Sequence, residues 1–160
     1  AHAALAFAGG GDHEAMAKIT NRLRKSAEEG NSFAREVVLP LVQGIEAFGN
    51  ENYTESVRLM EPVYPQLVRV GGSHAQREVF EDTMLEAYIR AEQFEKAEDM
   101  LRGRLKQRES VRDTFWLGRV QSAQGEATVA HSSFNQAAKG WEAADTDAPE
   151  LIALNNLMGV

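Results

Sequence analysis

The sequence predicts an all-α chain built from helix pairs, and three observations carry that expectation. Apolar residues recur at helical spacing: Leu85, Tyr88 and Ile89 fall at i, i+3, i+4, and Ala97, Met100 and Leu101 repeat the spacing. Glycine clusters and N-cap residues punctuate the chain at short intervals. The phrase that opens every second helix returns at a near-regular step. Strand signals are weak, since Val37-Val38-Leu39 and Val68-Arg69-Val70 are short and lack a hairpin partner with turn chemistry.

The helix starts are written in side chains. Ser73-His74-Ala75-Gln76 is a capping box, in which the serine oxygen takes one orphan N–H and the glutamine reaches back. Asn52 with Glu55, Ser110 with Asp113, and Asp147 with Glu150 are looser versions, and Asp12 follows Gly9-Gly10-Gly11. Stops are expected at Gly30-Asn31, Gly49-Asn50, Gly71-Gly72 and Gly125. Pro40 fits the first turn of a helix, where a missing N–H costs least; a helix starting near Ser32 would instead be kinked there. Pro62 and Pro65 predict a bend late in the following helix.

Aligning His13, Tyr53, Phe94 and Ala127 gives steps of 40, 41 and 33 residues. The last step is close to the tetratricopeptide period of about 34 residues. Small and large positions then line up. The fourth unit has Leu117-Gly118 on its first helix with Ala130, Phe134 and Ala137 on its second. The third keeps Tyr88, Ala97 and Leu101, the second Gly44, Ser56 and Met60, and the first a degraded set of Ala4, Phe7 and Met16. The expected architecture is an α-solenoid of about four antiparallel helix pairs, or, as the alternative, an irregular helical bundle. One repeat domain spans residues 1–160, with units at 1–30, 32–70, 73–108 and 110–144 and a capping helix at 147–160. Leu151, Ile152, Leu154, Leu157 and Met158 are placed to cover the open end of the array. In this register the first helix should begin about three residues before Ala1, so the chain is expected to continue upstream.

The segment Val70-Gly71-Gly72-Ser73-His74-Ala75-Gln76-Arg77-Glu78-Val79-Phe80 resembles a stretch of the tetratricopeptide repeat protein 38 family. Ala1-His2-Ala3, Ala47-Phe48 followed by Asn52-Tyr53, and Leu101 with Arg104-Leu105 agree with it. The family phrase usually has Ile where Val70 stands and Asp where Glu78 stands. The resemblance spans roughly residues 1–142. It implies an α-solenoid from the C-terminal part of a longer protein and brings no catalytic residues.

Composition narrows the function. The chain carries 17 basic and 24 acidic residues, net −7, which argues against general nucleic-acid or anionic-membrane binding. It has no cysteine, hence no disulfide, thiolate metal site or cysteine nucleophile. The expected location is the cytoplasm. His2, His13, His74 and His131 form no i, i+4 pair and no HExxH, so no metal is expected. No cofactor is expected either. Ser73 and His74 are sequence neighbours pointing about 100° apart on a helix, so they are not a nucleophile–base pair. Glu28-Glu29 and Glu81-Asp82 read as solvated helix faces.

The one constellation open to a ligand is Arg69, Gly72, Ser73, His74 and Arg77. Glycines before a helix N-terminus expose N–H groups, and the two arginines would add charge for a phosphate, a carboxylate or a partner's acidic side chain. The competing reading is structural: Gly71-Gly72 ends one helix, Ser73 caps the next, and Arg77 bridges to a neighbouring helix. Trp116 and Trp141 could anchor a partner or pack between repeats. First helices near 1–9, 33–49, 74–91 and 111–124 would line a groove, presenting Gln43, Glu46, Arg77, Glu81, Arg119 and Gln121. A carboxylate clamp would have only Arg77 with Arg119 or Arg112. The expected function is a non-catalytic protein-interaction scaffold. Alternatives are a structural segment of a larger solenoid or homo-oligomer, in which Leu5 and Phe7 need cover, and a small-ligand site at residues 71–77.

Overall fold

The computed structural model describes residues 1–143 and 148–158, with His74 described by its backbone alone. Every regular element among the described residues is helical. In order they are α1 (His2–Gly9), α2 (His13–Glu28), a π turn (Ala34–Val38), α3 (Leu39–Gly49), α4 (Tyr53–Met60), a 3₁₀ segment (Glu61–Val70), α5 (His74–Arg90), α6 (Phe94–Gln107), α7 (Val111–Ala123), α8 (Ala127–Gly140) and α9 (Pro149–Met158). No described helix is long and apolar enough to cross a membrane. The chain divides into two compact units, Ala1–Glu92 and Gln93–Val160.

One turn is written four times. His13, Tyr53, Phe94 and Ala127 are each the first residue of their helix. The N-caps before them share one conformation: Asp12 at φ −82°, ψ 77°, Asn52 at −89°, 70°, Gln93 at −87°, 59°, and Glu126 at −84°, 57°. Each is preceded by a left-handed residue, Gly11 (φ 67°), Glu51 (59°), Glu92 (57°) and Gly125 (83°). The same i→i−3 bond closes each turn, from Gly11 N to Ala8 O (3.3 Å), Glu51 N to Phe48 O (3.0 Å), Glu92 N to Ile89 O (3.1 Å) and Gly125 N to Ser122 O (3.1 Å). These bonds satisfy carbonyls that a helix end would otherwise leave open.

In the first unit, α3 packs on α4, and α5 lies against α4 and the 3₁₀ segment. The helical backbone runs from Ser32 through the π turn into α3, and Pro40 is the second residue of α3. Pro40 has no N–H for an i→i−4 bond, and its ring would crowd the carbonyl of Glu36; the wider π turn absorbs both effects. The bend expected at Pro62 and Pro65 is realised as a change of helix type. Their spacing of three suits a 3₁₀ ladder, and it buries Val63 and Leu67. Gly44 lets α3 and α4 approach: a Cβ there would stand 2.3 Å from Met60 Cγ. At the start of the chain, His2 Nε2 donates to the Gln76 carbonyl (3.0 Å), and its ring lies 4.8 Å from that of Phe80.

In the second unit, α7 packs on both α6 and α8, and α9 lies on α8. Phe115, Ala130, Phe134, Ala137 and Leu154 form the buried centre, with Trp116 and Trp141 half-buried around Phe115. Gly118 repeats the role of Gly44, since a Cβ there would stand 2.6 Å from Phe134 Cε1. Of the apolar residues of α9, Leu154 is buried and Leu151 and Met158 pack beside it, while Ile152 and Leu157 are exposed. The predicted Asp147 cap and the extreme ends of the 147–160 helix lie outside the described residues.

Candidate functional site

The turn at residues 69–77 brings together the residues the sequence singled out, and most of their polar groups bond within it. Gly71 and Gly72 both take positive φ, 83° and 84°, which reverses the chain between the 3₁₀ segment and α5. A side chain at Gly72 would also collide with Gln76 Oε1, 2.7 Å from a Cβ. The capping box forms in full: Ser73 N donates to Gln76 Oε1 (2.8 Å) and Gln76 N to Ser73 Oγ (3.3 Å). Arg77 Nη1 turns back to donate to the Gly72 carbonyl rather than bridging to a neighbouring helix. Arg69 Nη1 donates to Gln66 Oε1, and its guanidinium lies 5.1 Å from the centre of the Phe33 ring. The bonds made by Ser73 N, Gln76 N and Arg77 Nη1 use part of the donor set that an anion would need. His74 opens α5; its side chain lies outside the described residues.

The other polar residues expected on first helices divide. Arg119 is exposed, with its guanidinium 4.4 Å above the Trp116 ring, which occupies both groups. Arg112 lies 3.8 Å from Glu150. Gln121 does not face a groove: it is 1% exposed and accepts from Ser133 Oγ at 2.8 Å. Its position in α7 points it at α8, and the serine there satisfies the amide oxygen, so a polar residue serves as core.

Sequence reasoning missed a second feature, in the unit formed by α6–α9. Leu105, Glu109, Ser110, Val111, Thr114, Leu117, Ser133, Gln136 and Gly140 enclose a half-open cleft of about 590 Å³. Thr114, Leu117 and Ser133 are its buried floor, and Glu109, Gln136 and Gly140 its exposed rim. The hydroxyl of Thr114 donates to the Ser110 carbonyl (2.9 Å), and that of Ser133 donates to Gln121. Ser110 caps α7, its oxygen accepting from Asp113 N at 3.1 Å. Behind this, Asp113 (2% exposed) pairs with Arg104 at 3.3 Å. The signal for the cleft was the mixture of Ser, Thr and Leu across residues 105–117, which reads in sequence as an ordinary cap and core.

A smaller cleft of about 100 Å³ lies by the first turn, between Phe7, Asp12, His13, Met16 and Glu46 among others. Among the described residues no three His, Cys, Asp or Glu side chains gather to hold a metal ion. No protein-family model matches the chain, and no solved structure matches it.

Proposed function

We propose that this chain is a non-catalytic protein-interaction module of tetratricopeptide type, related to the tetratricopeptide repeat protein 38 family. The observation that carries the reading is the repeated turn, with its common N-cap conformation and its common register. Stepping by 40, 41 and 33 residues from Ala4 leads to Gly44, Leu85 and Gly118, all buried. The same steps lead from Met16 to Ser56, Ala97 and Ala130, and from Thr20 to Met60, Leu101 and Phe134, again all buried. A repeat that conserves its interior and varies its exterior presents surface rather than chemistry.

The test is a displayed peptide library panned against the intact chain, with selected sequences measured by calorimetry. Selected peptides should bind at micromolar Kd and their scrambled versions should not; no sequence-dependent binder would refute the module. A second reading, a segment of a larger solenoid or a homo-oligomer, is favoured by the exposed Ile152 and Leu157 on α9. Light scattering decides it, since a monomer at high concentration removes the oligomer. The anion reading of residues 69–77 is weaker, because that turn already bonds Ser73, Gln76 and Arg77. Phosphate titration with Arg77→Ala as control would restore it if shifts there vanished in the variant.

A further inference from the structure

We draw no further inference here: the strongest candidate, the half-open cleft between α6, α7 and α8, keeps donors on Ser110 and Gln136 and acceptors on Glu109 and Thr114 beside the apolar Leu105, Val111 and Leu117, so its lining selects no one class of ligand.

Discussion

The two glutamates in the repeated turn give the sharpest test of why this chain folds as it does. Glu51 and Glu92 hold φ of 59° and 57°, where Gly11 and Gly125 stand in the sister turns. A left-handed conformation costs an L-residue about 1–2 kcal/mol. Glycine escapes that cost but gives up about 0.4–1 kcal/mol through its freer unfolded chain. The balance is a net gain of about 0–1.6 kcal/mol for Glu→Gly at either site. Glu51 also lies near Arg90 and helps hold that guanidinium above its usual range, after the larger effect of Glu86. Comparing Glu51→Gly with Glu51→Ala removes the charge from both variants and isolates the backbone. Glycine should exceed alanine in stability there, the reverse of a helix interior, where alanine wins by about 1 kcal/mol. Gly125→Ala supplies the converse, because a Cβ at Gly125 meets nothing within 4 Å and only the backbone is strained. Urea denaturation followed by circular dichroism gives the free energies, and heating should show a rise of about 4–8 °C per kcal/mol for a unit of this size. Alanine more stable than glycine at both 51 and 92 would refute the turn assignment and the repeat built on it.

Packing and charge make further predictions. Gly118→Ala should cost about 1–3 kcal/mol, since its methyl would press on the Phe134 ring and on Ser133 Cβ; Gly44→Ala should cost less, because the unbranched Met60 it meets can rearrange. Both are read from urea midpoints. Asp113→Ala should cost about 3 kcal/mol by breaking the buried pair that Asp113 makes with the 11%-exposed Arg104, and 1 M salt should change that loss little. The fluorescence of Trp116 and Trp141, both in the same unit, reports it. Tyr88→Phe should cost about 1 kcal/mol by removing the bond to Glu61 at 3.1 Å. Burial first, and Glu61 second, raise the Tyr88 phenol above its ordinary value near 10. Its contribution is therefore complete below pH 10 and lost as pH rises toward the folded value, so Tyr88→Phe should flatten the alkaline limb of a stability–pH profile. The exposed Glu55 carboxyl is held low by its hydrogen bond from Arg58, so its contribution is present above the ordinary carboxylate range and lost on acidification. Glu55→Gln should soften the acid limb slightly.

The fold was legible where local chemistry and periodicity agree. Asp12, Asn52, Ser73 and Ser110 each accept the backbone bond their sequence context announces. The steps between His13, Tyr53, Phe94 and Ala127 locate four helix starts to the residue. The left-handed glutamates were not legible, because glycine marks that conformation only in two of the four turns and the hydrogen-bonded frame imposes it in the others. The helix types around Pro40, Pro62 and Pro65 were half legible: a proline announces that an α ladder must break, but whether it becomes a π or a 3₁₀ turn depends on how the freed backbone is packed. Gln121 was misassigned because a polar residue in a first helix reads as surface unless its partner is known, and Ser133 is 12 residues away on another helix. The α6–α8 cleft was illegible for the same reason. Its lining joins residues of α6, α7 and α8 that lie far apart in the sequence and meet only through the packing of these helices.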